Sequence, residues 1–206
     1  MEKPNLDYGA AIKFGWKKLK KNAGFLIGIF IVQILVVIIY SVLSEKFDIP
    51  LAQFVLFITY LIIIILMSIG FTKIYLKIYY EEDIRFNDLF IHSRYFTAYF
   101  GATVIYVILV TIGFFILIIP GFLLALIFYF YQYFIVDQDK GIIESLQESY
   151  KLTNGYLGHL FVFFLIILAL NILGFLVFLV GVIVTSFVSS LAMIHIYKQL
   201  QYIKSQ

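Results

Sequence analysis

The sequence predicts an all-α fold: a polytopic membrane bundle of six transmembrane helices in three hairpins, with amphipathic helices at the cytoplasmic interface. Hydrophobic residues make up 63% of the 206 residues and charged residues 13%, whereas soluble domains have about 45–50% apolar and about 25% charged residues. Two uncharged runs are too long for one passage through a bilayer. Nearly all basic residues fall on one predicted side of the membrane, as is typical of multi-pass proteins.

One uncharged run, 98–136, predicts the central hairpin. A straight helix of that length would be far longer than the ~30 Å of a bilayer core, so the run must fold back on itself. Pro120 lacks a backbone N–H and Gly121 tolerates positive φ. We therefore expect this pair to end one helix and begin the next in a tight turn at the far membrane surface.

The N-terminal part of the chain predicts the first hairpin, preceded by an amphipathic helix over residues 6–21. Its apolar face carries Tyr8, Ile12, Trp16 and Leu19, and its basic face carries Lys13, Lys17, Lys20 and Lys21. Such a helix lies in the plane of the lipid headgroups. Residues 22–43 are then expected to cross the membrane and 51–71 to return, with Pro50 where the returning helix begins.

The second predicted unit opens with Asn87, a good N-cap, ahead of a short amphipathic helix over 88–94 that leads into the central hairpin. The third unit follows the turn-rich residues 137–141. It begins with another amphipathic helix, which Asn154 and Gly155 end as a left-handed cap.

The second uncharged run, 160–197, also requires two passes through the membrane. We expect its turn near Gly181, with Gly174 as the alternative position. The order of interfacial helix, span, tight turn and span then occurs three times, which predicts a weak internal repeat of about 60–70 residues. The repeat units are residues 6–80, 84–137 and 140–205 of one membrane domain that comprises residues 1–206.

The distribution of charge predicts the orientation. With six spans, fourteen of the fifteen basic residues lie on the surface that carries both termini, and Lys46 alone lies on the other. The positive-inside rule makes the first surface cytoplasmic, so both termini are predicted to lie in the cytoplasm. Most tyrosines fall near the same boundary, as expected for an aromatic belt.

Part of the chain resembles a known family. Residues 119–121 form a Pro-Gly turn, 133–137 end an aromatic-rich span with an acidic turn, and 141–155 form a short amphipathic helix with a late serine. This order resembles the small bacterial six-span proteins related to the membrane domain of glycerophosphodiester phosphodiesterases. The resemblance covers about residues 101–200 and implies a shared helical fold. The phosphodiesterase chemistry belongs to a soluble domain absent here, so no catalytic residue carries over.

The predicted spans contain no carboxylate and no basic side chain of the kind that ion pumps and proton-coupled transporters keep inside the bilayer. Their polar residues are expected mainly to join helices by hydrogen bonds worth roughly 0.6–2 kcal/mol each. A transporter or channel for a neutral or amphiphilic solute is the alternative function. Its expected lining residues are Gln33, Gln132, Asn171, Ser186 and Ser190.

The leading functional hypothesis is a non-enzymatic protein of the prokaryotic plasma membrane that binds lipid headgroups, or the membrane segment of another protein, at its cytoplasmic face. The expected lipid-binding residues are Lys13, Trp16, Lys17, Lys18, Lys20 and Lys21. Membrane lipids, and alternatively another membrane protein, are the expected partners, and we expect no cofactor and no nucleic acid.

A third and less favoured hypothesis is an intramembrane metalloenzyme that uses three histidines and a glutamate pair. These residues are His92, His159, His195, Glu81 and Glu82. Neutral imidazoles can bind a metal. However, no two histidines have the i, i+4 spacing of a helical metal site, so we predict neither a metal site nor catalytic residues.

Overall fold

The computed structural model describes residues 6–90 and 93–205. In these residues the chain is almost entirely helical and has no strand, which confirms the predicted all-α class. The helices are α1 (Tyr8–Lys46), α2 (Pro50–Tyr80), α3 (Phe96–Ile116), α4 (Ile118–Phe128), α5 (Tyr131–Gln138), α6 (Ile142–Thr153), α7 (Leu157–Leu176) and α8 (Phe178–Lys204). Six helical stretches, formed by α1, α2, α3, α4 with α5, α7 and α8, are long and apolar enough to span a membrane. The protein is therefore a multi-pass membrane protein.

The spans form three hairpins whose two ends differ in charge. We call the end that carries the hairpin connections at 47–49, 117 and 177 the turn end. The opposite end, which carries the start of α1, all of α6 and the end of α8, is the basic end. The charged residues at the turn end are Glu45, Lys46 and Asp48. Apart from these three, the charged side chains in the described ranges lie toward the basic end.

Helix α1 packs mainly against α8 and bends where the first span was predicted to begin. A Cβ added to Gly15 would lie 2.5 Å from the Val188 carbonyl oxygen, so glycine lets the two backbones touch. Asn22 has non-helical dihedral angles, with φ −116° and ψ 17°. Its side-chain Nδ2 donates a hydrogen bond to the Lys18 carbonyl at 2.9 Å, which satisfies a backbone acceptor at the kink.

The central hairpin turns at Leu117, three residues before the predicted Pro120-Gly121 pair. Leu117 is extended (φ −163°, ψ 154°) and is the only residue between α3 and α4. Pro120 lies in the first turn of α4, where a missing N–H leaves no helical hydrogen bond unmade. The backbone of Gly121 lies against Gly113 of α3. This close approach is what allows so short a reversal.

The last hairpin also reverses where two glycines let the helices approach closely. Its turn falls at Val177, between the two predicted positions Gly181 and Gly174, and Phe178 follows with a positive φ of 64°. Neither glycine forms the turn. Instead Gly181 and Gly174 lie against each other's backbone across it, so that α7 and α8 meet closely.

The returning helix of the central hairpin is broken at residues 129–130, between α4 and α5. Ser149 of α6 donates a hydrogen bond to the Ile127 carbonyl at 2.8 Å and accepts one from the Phe130 N–H at 3.1 Å. The Thr153 hydroxyl shares its proton between the same carbonyl at 3.2 Å and the carbonyls of Ser149 and Tyr150 in its own helix. Non-helical backbone inside a membrane bundle is tolerated only where other groups satisfy it. Helix α6 therefore stabilises the break.

The segment before α3 differs from the predicted amphipathic α-helix over 88–94. Where it is described, it forms two short 3-10 helices, Phe86–Leu89 and Ser93–Tyr95. The Asp88 carboxylate accepts hydrogen bonds from Lys77 Nζ at 2.8 and 2.9 Å, which attaches the first of them to α2. Helix α6, by contrast, forms as predicted and ends before Gly155, whose φ is 85°.

Candidate functional site

A polar cavity of about 210 Å³ lies inside the bundle between α2, α3, α5 and α8. We call it the tyrosine cavity. Its aromatic lining residues are Phe71, Tyr75, Tyr99, Tyr129 and Tyr133, and its other lining residues are Ser68, Thr72, Gln132 and Ser190. Each of these residues is buried or half-buried, and the space is only partly enclosed, so that it opens to the outside of the bundle. None of them carries a formal charge at neutral pH.

Hydrogen bonds occupy much of the polar lining. The Tyr99 hydroxyl donates to Gln132 Oε1 at 3.1 Å, and the Tyr75 hydroxyl lies beside Ser190. Ser190 and Thr72 donate their own hydroxyl protons to backbone carbonyls one turn earlier in their helices. The rings, the Gln132 amide and the lining hydroxyl oxygens therefore face the space together.

Two local features bring these side chains together. Ser68, Thr72 and Tyr75 follow one another at i, i+4 and i+7 and so share one face of α2. Tyr129 lies in the break between α4 and α5, and Tyr133 lies in α5. Their two rings meet edge to face with centroids 6.4 Å apart. The hydrogen bonds by which α6 satisfies the backbone at the break therefore also hold one wall of the cavity in place.

A charged cluster closes the bundle between the tyrosine cavity and the basic end. Lys198 Nζ donates to Asp137 Oδ2 at 2.6 Å, and the two side chains are only 14% and 9% exposed. The hydroxyls of Tyr80 and Tyr197 donate to the same carboxylate at 3.1 and 3.2 Å. Because every member has a partner, the cluster joins α2, α5 and α8 and leaves no free charge beside the cavity.

The structure brings together two of the five residues predicted to line a solute site. Gln132 and Ser190 line the tyrosine cavity, and Gln33, Asn171 and Ser186 do not. Asn171 donates to the Ile167 carbonyl and to Ser189 Oγ, both at 2.8 Å, and so joins α7 to α8. Gln33 is half-buried in α1 and does not line the tyrosine cavity.

A family model for a domain of unknown function, DUF7847, matches residues 89–202. The chain belongs to this family. Neither a curated protein nor a solved structure gives a significant match. The DUF7847 region runs from the segment before α3 into α8. It therefore contains the cavity residues of α3, α5 and α8, whereas Ser68, Phe71, Thr72 and Tyr75 of α2 precede it.

A second candidate site lies outside the DUF7847 region, on the turns of α1 that precede the kink at Asn22. Lys13, Trp16, Lys17, Lys20 and Lys21 are exposed and form what we call the basic face. Trp16 is 48% exposed and lies among the lysines. The sequence analysis had placed it on the apolar face of the helix instead. Lys20 Nζ lies 5.7 Å from the centroid of the Trp16 ring, a cation–π distance.

Lys18 differs from the other predicted lipid-binding residues. Its side chain is 8% exposed and donates to Glu81 Oε1 at 2.6 Å, which joins the start of α1 to the end of α2. This hydrogen bond and charge hold the pKa of Glu81 below its ordinary value of 4.5. Lys18 is therefore a structural residue, and the basic face consists of the other four lysines and Trp16.

The metal hypothesis gains no support from the described residues, which contain no group of three or more metal-binding side chains. His92 lies outside them. The His195 ring stacks on Phe14 at 4.7 Å between α1 and α8, and the carbonyl of His159 accepts a hydrogen bond from the Tyr8 hydroxyl at 3.1 Å. Both described histidines thus take part in helix packing.

The sequence analysis missed the aromatic half of the cavity. Tyr75, Tyr99, Tyr129 and Tyr133 were assigned to an interfacial belt because they lie near the predicted membrane boundary. The i, i+4, i+7 spacing of Ser68, Thr72 and Tyr75 is the sequence signal that could have identified an inward polar face.

Proposed function

We propose that the protein binds anionic lipid headgroups at the cytoplasmic surface of a prokaryotic plasma membrane through the basic face of α1, and that it acts there without catalysis. The observation that carries this proposal is the exposure of four lysines around Trp16, directly before the kink at Asn22 where the membrane span begins. This is the depth at which the headgroups of a bilayer lie.

The charge of the basic face favours an external anion. Within the described residues, Lys13, Lys17, Lys20 and Lys21 form no ion pair, whereas Lys18 pairs with Glu81. Each Lys near an anionic membrane surface contributes about 1 kcal/mol of attraction. The four lysines together attract lipid headgroups that carry a negatively charged phosphate.

Trp16 complements the lysines. Its indole ring has an apolar body and one N–H donor, which suits it to the boundary between headgroups and acyl chains. A helix that carries such a ring among lysines is held at a fixed depth, with the charges toward the phosphates. In this proposed orientation the start of α1, all of α6 and the end of α8 face the cytoplasm, because they lie at the same end of the bundle.

Trp16 also allows a direct test, because it is the only tryptophan in the chain. The protein would be reconstituted in nanodiscs that contain a small fraction of lipid with brominated acyl chains, which quench nearby tryptophan fluorescence. We expect brominated phosphatidylglycerol to quench Trp16 severalfold more strongly than brominated phosphatidylcholine at equal mole fraction. High salt should reduce the difference.

The variant in which the four lysines of the basic face are changed to glutamine should lose the preference for the anionic lipid. Lys46→Gln, which removes a lysine at the turn end, is the matched control and should keep it. Equal quenching by both lipids in the unmodified protein would contradict the proposal.

A further inference from the structure

The tyrosine cavity has a lining that is unsuited to several classes of ligand. It offers no carboxylate or imidazole, which are common ligands at protein sites for metal ions. It offers no Lys or Arg for an anion. The carboxyl end of α4 and the amino end of α5 meet at the break beside it, so their opposed dipoles create no strong anion site either.

The cavity does offer aromatic surface beside its polar groups. Four tyrosine rings and Phe71 surround a space of about 210 Å³, and most of the lining hydroxyls are already paired with each other or with the backbone. The faces of aromatic rings carry a negative quadrupole, which attracts cations that are only weakly hydrated. Sites lined by several such rings bind quaternary ammonium groups.

The size of the cavity agrees with such a group. At ~30 Å³ for each water molecule, the space corresponds to about seven waters. This is enough for a trimethylammonium group with a short polar tail, and the Gln132 amide is the polar group that such a tail would meet. Lys198 does not oppose a bound cation, because Asp137 neutralises it.

We propose that the tyrosine cavity binds a small organic cation through a quaternary or tertiary ammonium group. The cation is either a free solute or the headgroup of a lipid. This proposal uses none of the residues of the basic face, so its failure and the failure of the lipid proposal are distinguishable.

The test compares choline with its uncharged carbon isostere, a dimethylbutanol, which has the same shape without the positive charge. Each would be titrated calorimetrically into the unmodified protein in phosphatidylglycerol nanodiscs, with empty nanodiscs as the blank. We expect choline to bind with a dissociation constant of about 1 mM or lower and the isostere to bind at least about tenfold more weakly.

Two substitutions at one position separate the ring from its hydroxyl. Tyr75→Phe keeps the aromatic face and should change choline affinity by less than about threefold, whereas Tyr75→Leu should lower it about tenfold. Tyr40→Leu is the matched control, because Tyr40 stacks on Tyr60 at 4.1 Å between α1 and α2, away from the cavity. It should leave the affinity unchanged.

A nanodisc series with increasing phosphatidylcholine distinguishes the two sources of the cation. Competition with free choline would identify a lipid headgroup, and unchanged choline binding would identify a free solute. Either result agrees with the proposed chemistry. Equal binding of choline and its isostere to the unmodified protein, or no binding of choline at millimolar concentration, would overturn it, and neither measurement depends on the folding of a variant.

Discussion

The basic end and the turn end of this bundle are held together in different ways. At the basic end, ion pairs between Lys18 and Glu81 and between Lys198 and Asp137 join separate helices. At the turn end, an open apolar cleft of about 700 Å³ separates α1 from α2. Side chains beside the hairpin turns at Leu117 and Val177 are largely exposed, and Phe115 is 87% exposed.

This difference follows from the two solvents that the protein meets. An apolar side chain gains little by leaving lipid for protein, because the lipid tails are equally apolar. The turn end can therefore keep open surfaces without a large cost. Polar groups and non-helical backbone have no such freedom inside a membrane bundle, and each must find a partner. Both candidate sites lie at or toward the basic end, where specific contacts fix the positions of side chains.

The largest expected loss of stability follows from removing the side-chain hydrogen bonds between α6 and the break that separates α4 from α5. The double substitution Ser149→Ala with Thr153→Val leaves the Ile127 carbonyl and the Phe130 N–H without their side-chain partners. Because each unsatisfied buried group costs about 1–3 kcal/mol, we expect the two groups to cost about 2–6 kcal/mol, seen as a lower apparent melting temperature in detergent.

The control for this change is Thr59→Val at the turn end. Thr59 donates only to the carbonyl of Val55 within its own helix and lines the apolar cleft. It should shift the melting temperature little. An equally large loss from Thr59→Val would contradict the contrast between the two ends.

A smaller effect is expected where backbones touch. Gly15→Ala places a methyl group against the Val188 carbonyl and should destabilise the protein by about 1–3 kcal/mol. Gly24→Ala, nine residues later in the same helix, meets nothing within 4 Å. Since alanine favours helix over glycine by about 0.5–1 kcal/mol, Gly24→Ala should be neutral or stabilising. Thermal unfolding of the two variants side by side measures the difference, and equal shifts would show that α1 does not contact α8 at Gly15.

The smallest effect concerns pH. Lys18 holds the pKa of Glu81 below 4.5 in the folded protein, so this carboxylate stabilises the fold above pH 4.5, and the contribution is lost as the pH falls through the lowered value. Glu81→Gln should therefore lose less stability between neutral and acidic pH than the unmodified protein. Glu81 is 67% exposed, so the expected change is small. The control is Glu82→Gln, at the exposed neighbouring residue, whose stability should depend on pH as that of the unmodified protein does. If Glu81→Gln showed this same pH dependence, the pairing of Lys18 with Glu81 would be contradicted.

The sequence predicts the number of spans and the start of the first span at residue 22, because both follow from uncharged length and from the position of the lysines; the kink at Asn22 is seen only in the structure. It misplaces the turns at Leu117 and Val177, because the controlling feature is a pair of glycines that face each other across each turn. The two glycines of each pair are eight or seven residues apart, and this spacing does not by itself show at which residue between them the chain reverses.

The candidate sites show the same limit. The lysines of the basic face are evident from the sequence, since exposure follows from helical spacing. The burial of Lys18 is not, because it depends on Glu81, which is distant in the chain. Gln132 and Ser190 were predicted as lining residues from polarity alone. Their meeting with Tyr75 depends on how α2, α5 and α8 pack, which only the structure provides.

The most direct test of the account is the side of the membrane on which each end lies. The chain has no cysteine, so single substitutions give clean labelling positions. Lys17→Cys and Lys151→Cys mark the basic end, and Asp48→Cys marks the turn end. In spheroplasts, a membrane-impermeant maleimide should label Asp48→Cys at once and the other two only after the membrane is opened. Labelling of Lys17→Cys and Lys151→Cys from opposite sides, or of Asp48→Cys from the same side as Lys17→Cys, would contradict the three-hairpin arrangement.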